Sequence, residues 1–135
     1  MNDEILKEIE KLEELEKYEE IINIIENLQA EQLNTKIMEG LARAYANIQK
    51  YEKAIEILKS IEYEGKNGVD WNYTIGYSYY YSKDYKNSEK YFLKALELDE
   101  TEDDIKNALL NVYLELSGQT INESIENKDK AIEYA

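Results

Sequence analysis

The 135-residue chain contains no cysteine and no histidine. The first absence excludes disulfides and thiolate nucleophiles, and the two together exclude the usual zinc ligand sets and imidazole acid–base chemistry. No glycine-rich phosphate loop is present. Carboxylate pairs such as Asp103-Asp104 occur, but 30 acidic residues make such adjacency expected by chance. We therefore predict that the chain is not an enzyme and has no catalytic residue, no metal site and no cofactor.

Proline is also absent, and there are only five glycines. A chain with so few turn-forming residues favours helices joined by short loops over an all-β fold with many turns. Hydrophobic residues make up 43% of the chain, which is enough to predict a folded core rather than disorder. The length predicts one domain.

Basic residues are scarce: 16 lysines and arginines face 30 acidic residues, for a net charge of −14. Such a surface repels phosphate backbones, so we predict no nucleic-acid partner. It suits a basic partner, although solubility explains the same charge. The first 20 residues are acidic and interrupted by charges, so they form neither a signal peptide nor a membrane span. Cytoplasm is the default location, and the richness in Asn, Ile, Lys, Glu and Tyr is typical of an AT-rich bacterial genome.

The most informative stretch runs from Asp70 to Glu100 and reads as two amphipathic helices with a tight turn near Ser82 to Asp84. A backward shift of 34 residues aligns it with the preceding stretch. Seven aligned pairs keep a small, apolar or aromatic character: Ile75 with Leu41, Gly76 with Ala42, Tyr79 with Tyr45, Tyr85 with Tyr51, Ser88 with Ala54, Phe92 with Leu58 and Ala95 with Ile61. Amphipathicity alone would not fix one shift, so the chain contains an internal repeat.

This order of residues resembles the tetratricopeptide repeat, whose signature is W-x₂-L-G-x₂-Y, then A-x₃-F, then proline. Asn72 stands at the tryptophan place with Trp71 one residue earlier, Ser88 replaces the alanine, and Glu100 stands where proline is usual. The resemblance implies an all-α, right-handed superhelical array of about four helix-turn-helix repeats in one domain over residues 1–135. The repeats would span approximately residues 2–34, 35–68, 69–102 and 103–135.

We predict eight helices, near residues 3–15, 18–29, 34–48, 51–62, 70–82, 85–98, 102–117 and 120–134. The register after Gly118 stays open. Thr120-x-x-Glu123 is a capping-box pattern that would start a helix with Ile125 and Ile132 inward. Alternatively, the closing residues DKAIEYA echo EKAIEIL at Glu52 to Leu58, after an insertion of about nine residues. Thr101 with Asp104 is a further capping-box pattern, at the start of the seventh helix.

The resemblance implies that the first helices of successive repeats line a concave surface where peptides bind. The residues of this chain on that face are Arg43, Asn47, Tyr73, Tyr77, Tyr80, Tyr81, Asn107 and Asn111. Arg43, Tyr77 and Asn111 follow one another at intervals of 34 and should lie side by side. The competing interpretation is that the tyrosines pack against neighbouring repeats, that Arg43 pairs with Glu39, and that Trp71 is core.

The function that the resemblance implies is a non-catalytic scaffold for a protein or peptide partner, either basic or with apolar or aromatic anchors. Glu39 and Tyr77 stand where members of a carboxylate clamp would be expected, which disfavours an acidic chaperone tail. The first alternative is self-assembly through the last helix, with Ile121, Ile125 and Ile132 as its apolar face. The second is an accessory repeat domain of a larger multidomain protein, of which this chain is a fragment.

Overall fold

The computed structural model describes the backbone of residues 2–133 and the side chains of residues 2–118. All regular structure in that part of the chain is helical, which confirms the all-α superhelical repeat array. The elements are α1 (Asn2–Glu14), α2 (Tyr18–Glu26), a 3₁₀ turn (Ala30–Gln32), α3 (Thr35–Asn47), α4 (Tyr51–Ser60), α5 (Glu62–Gly65), α6 (Val69–Tyr81), α7 (Tyr85–Leu98) and α8 (Asp103–Glu133). None of the described helices combines the length and apolar character that a membrane crossing requires.

Helices α1 and α2, α3 and α4, and α6 and α7 form three successive hairpins. Their predicted boundaries agree with the structure to within three residues. Each hairpin buries one face of its second helix: Ile21 and Ile25 in α2, Ala54 and Leu58 in α4, and Ser88 and Phe92 in α7. Successive hairpins stack, with α2 on α3 and α4 on α6, so the core runs continuously through the array.

The same turn closes all three hairpins. Glu16, Gln49 and Lys83 each adopt a positive φ, between 56° and 68°, just after the first helix ends. The next backbone N–H then reaches back five residues, as from Lys50 to the Tyr45 carbonyl at 2.9 Å. This is the Schellman pattern, which satisfies the last carbonyls of a helix. Three non-glycine residues therefore occupy positions that favour glycine.

Small residues allow the two helices of the third hairpin to cross closely. A Cβ atom on Gly76 would lie 2.8 Å from the Phe92 ring, and the Ser88 hydroxyl donates to the Gly76 carbonyl at 2.8 Å. Ala42 and Ala54, the corresponding residues of the second hairpin, are both fully buried. Small residues thus stand at the helix crossing in both hairpins.

Trp71 is a core residue. Its side chain is 1% exposed, its indole N–H donates to the Leu58 carbonyl at 2.8 Å, and its ring packs edge-on against Tyr91. The neighbouring Asn72 is equally buried, and its amide donates to the carbonyls of Lys66 and Gly68, both at 2.8 Å. The Trp71 hydrogen bond joins α6 to α4 of the second hairpin, and the Asn72 hydrogen bonds hold the loop that precedes α6.

The predicted division of the C-terminal region into helices at 102–117 and 120–134 is wrong, because α8 is one helix of 31 residues. Leu110 stands at the place of Gly76, where a second helix would need a small residue, and its side chain is 58% exposed. Gln119 stands at the place of Tyr85, which opens α7. Gly118 alone does not end a helix, and the capping box at Thr120 lies within α8. The side chains of Ile121, Ile125 and Ile132 lie outside the described part.

Candidate functional site

Two adjacent cavities lie along the first helices α3, α6 and α8. One, of about 220 Å³, lies between α6 and α8; the other, of about 230 Å³, lies between α3 and α6. Tyr73 and Tyr77 line both. We call the two cavities together the groove. The structure brings all eight residues of the predicted ligand face to its walls: Tyr73, Tyr77, Tyr80, Tyr81, Asn107 and Asn111 line the first cavity, and Arg43, Asn47, Tyr73 and Tyr77 the second.

The tyrosines reach the groove because the opposite face of α6 is committed to the core. Ile75 is fully buried there, and the Tyr79 ring stacks on Tyr91 at 5.7 Å between centroids. A helix with 3.6 residues per turn then directs residues 73, 77 and 80 to its other side. Tyr73, Tyr77 and Tyr80 are each half-buried, and Tyr81 is exposed.

The groove tyrosines also pack against one another and against neighbouring helices. The Tyr77 and Tyr81 rings lie 4.7 Å apart, and Tyr51 of α4 stacks on Tyr81 at 5.3 Å. Tyr73 contacts Phe92 of α7 at 5.6 Å. Packing against neighbouring repeats is thus part of their role, and it fixes the rings in place while one face or edge of each remains on the groove wall.

Arg43 is engaged within the chain. Its Nη2 lies 2.9 Å from Oε1 of Glu13 on α1, and both side chains are about one-third exposed (31% and 30%). The Asn47 amide donates to the Arg43 carbonyl at 2.8 Å. Arg43 therefore pairs with Glu13 and not with Glu39. Burial raises the pKa of Glu39, and the nearby positive charge of Arg43 partly offsets that rise.

Burial and neighbouring phenols raise the pKa of Tyr77 to about 12. Burial is also the main cause of the raised pKa of Tyr73, followed by the negative charge of Asp104. For Tyr80, burial comes first and the carboxylate of Glu115 second. At neutral pH the groove therefore presents uncharged hydroxyls, which can donate and accept hydrogen bonds.

Sequence reasoning missed four lining residues: Phe92, Asp104, Ala108 and Thr74. Asp104 was assigned to a capping box with Thr101, but α8 begins at Asp103 and Thr101 instead donates both its N–H and its hydroxyl to Asp99. The signal for Asp104 is its spacing, three residues before Asn107 and seven before Asn111 on one helix face. No three metal-ligating side chains converge in the described residues.

Comparisons with known proteins agree with this architecture. Residues 69–102 match one model of the tetratricopeptide repeat, and residues 35–61 match another. The chain is similar to the solution structure of the first TPR domain of human RPAP3, with 17% identity, a TM-score of 0.79, and coverage of 89% of this chain and 95% of that one.

Two crystal structures are also similar. The TPR domain of P58(IPK) shares 16% identity at a TM-score of 0.79, over 87% of this chain and 34% of that chain. PcrH from Pseudomonas aeruginosa shares 13% identity at a TM-score of 0.65, over 88% and 91%. At such identities the likeness shows the fold alone. No curated protein sequence matches the chain.

Proposed function

This chain belongs to the tetratricopeptide-repeat family, and on that premise we propose that it binds a peptide or a protein partner in the groove between α3, α6 and α8. The proposed role is that of a non-catalytic scaffold. A protein-interaction role follows from the family; its location in the groove is our proposal.

The observation that supports the groove is its concentration of partly exposed aromatic rings. Four tyrosines line one cavity, and two of them also line the next. Large amphipathic rings that are already held in place contribute strongly to binding, since little side-chain entropy is lost on contact. Asn107 and Asn111 add amide groups that can pair with the backbone of an extended peptide.

Site-specific photo-crosslinking tests the placement. A photoreactive phenylalanine analogue at Tyr77 should capture the partner. The control is the same analogue at Tyr63, which is 84% exposed and therefore accessible. It should not capture the partner, because Tyr63 lies on α5, outside the groove walls. A Tyr77→Ala variant that folds normally should lose partner binding. Capture at Tyr63 alone, or full affinity in Tyr77→Ala, would show that the partner binds elsewhere.

A second candidate function is self-association through α8. Leu110, Tyr113 and Leu114 are 58%, 42% and 63% exposed on one side of this helix. Exposed apolar residues in such a group are typical of an interaction surface. Sedimentation equilibrium should show a dimer that Leu114→Lys weakens. The control is Leu15→Lys, which changes an exposed leucine next to α1 and should leave the dimer unaffected. A monomer at millimolar concentration would exclude this function.

A further inference from the structure

All four tyrosines of the groove line one of its two cavities, the one between α6 and α8. Tyr73, Tyr77, Tyr80 and Tyr81 line it together with the carboxylate-bearing Asp104 at the start of α8. We call this arrangement the cage. Its volume, about 220 Å³, is below the range of cavities that hold a drug-sized ligand, so it suits one long side chain rather than a whole helix.

No cation among residues 2–118 occupies the cage. In the described residues, the lysines that lie over aromatic rings contact Tyr91 or Tyr63, neither of which lines it. Arg43 lines the neighbouring cavity and is bound to Glu13. Asp104 takes part in none of the ion pairs among the described residues. The rings and the carboxylate are therefore available to a cation from outside.

The electrostatic surroundings favour such a cation. Asp104 and Glu102 add to the burial that raises the pKa of Tyr73, and Glu115 does the same for Tyr80. Burial is the larger cause of both pKa shifts, and the carboxylates add a smaller contribution because they lie close to the phenols. Aromatic faces attract cations through their quadrupole, and a carboxylate beside them adds to the attraction. The net charge of −14 extends that attraction over a longer range.

We propose that the cage binds the cationic side chain of a lysine or an arginine in the partner peptide, with the charge held between the tyrosine rings and Asp104. The inference rests on the proposed function, because it names the anchor that the groove would select. It disfavours an acidic C-terminal tail: the arginine that would hold a carboxylate is paired with Glu13, and the cage itself repels negative charge.

A titration with single-residue probes tests charge selection without a known partner. N-acetyl-arginine amide added to the ¹⁵N-labelled chain should shift the backbone amides of Tyr73, Tyr77, Asp104 and Asn107. N-acetyl-citrulline amide has almost the same shape without the charge and should bind about fivefold or more weakly. Equal binding of the two probes, or arginine shifts that avoid these amides, would overturn the proposal.

Two aspartates at the start of α8 supply a matched pair of variants. Asp104→Asn removes the cage carboxylate, whereas Asp103→Asn removes an exposed neighbour that lines neither cavity. The first should weaken arginine binding about fivefold, and the second should have little effect. Equal losses would mean that only overall charge matters and would overturn the cage.

The two proposals fail separately. Partner crosslinking at Tyr77 together with equal arginine and citrulline affinities would leave the groove as the binding site and remove the cationic anchor. If the cage selects arginine but the partner does not crosslink at Tyr77, the cage remains a cation site and the groove is removed as the place where the partner binds.

Discussion

At the crossing of α6 and α7, a Cβ atom on Gly76 would lie 2.8 Å from the Phe92 ring, a distance at which one of them must move. Gly76→Ala should therefore lower the free energy of unfolding by about 1–3 kcal/mol through overpacking, even though alanine is the better helix former. Chemical denaturation monitored by circular dichroism measures the change.

Gly118→Ala is the matched control, because a Cβ atom there meets nothing within 4 Å. Helix propensity alone should then act and stabilise α8 by up to about 1 kcal/mol. If both alanine variants were equally stable, the close crossing of α6 and α7 would not exist.

The turns offer a second test at single residues. Gln49 has a φ of 68° in the turn between α3 and α4, and its side chain is exposed. Gln49→Gly should raise the free energy of unfolding by about 0.5–1 kcal/mol, because glycine accepts this conformation without strain. Lys53→Gly, at an exposed position inside α4, should instead destabilise by about 1 kcal/mol. A loss of stability in both variants would contradict the left-handed turn.

At the scale of elements, a buried amide holds the loop that leads from the second hairpin into the third. Asn72 donates to the carbonyls of Lys66 and Gly68 from a buried position on α6. Asn72→Ala should lower the free energy of unfolding by about 1–3 kcal/mol, since the Lys66 carbonyl loses the amide donor and the Gly68 carbonyl keeps only the backbone N–H of residue 72. Asn67→Ala, in the exposed part of the same loop, should leave the midpoint of thermal unfolding unchanged.

The elements also show where sequence reasoning succeeds and where it stops. Tyr51 and Tyr85 mark the starts of α4 and α7, so the 34-residue interval predicts the hairpins well. The fourth hairpin, predicted from the capping box at Thr120 or from the echo of EKAIEIL, does not form, because Leu110 stands where a second helix would need a small residue to cross. The short helix α5 escaped prediction because its glycine-containing sequence resembles a plain turn.

For the groove, helical spacing predicts which residues share a helix face. The eight residues chosen in this way all line one or both of the two cavities. Spacing does not predict contacts between distant segments. The Arg43–Glu13 pair joins residues 30 apart, and Asp104 approaches Tyr73 from another helix. Both depend on how successive hairpins stack, which a single sequence does not encode in any local pattern.

At the scale of the whole molecule, the raised pKa of Tyr77 predicts that the fold loses stability at high pH. The pKa of Tyr77 is about 12 in the folded chain, against about 10 for an unperturbed tyrosine. The unfolded state therefore loses this proton first, so the stabilisation is complete below pH 10 and is lost as the pH rises towards 12. Tyr77→Phe should flatten the fall in unfolding free energy over this window, and Tyr63→Phe should not.

Hydrogen–deuterium exchange on the chain with and without its crosslinked partner peptide tests the central claim most directly. Binding in the groove should slow exchange at the backbone amides of α3 and α6 and at the start of α8, while α2, α4 and α7 change less. Protection confined to α2, α4 and α7 would place the partner on the opposite side of the array and contradict the account.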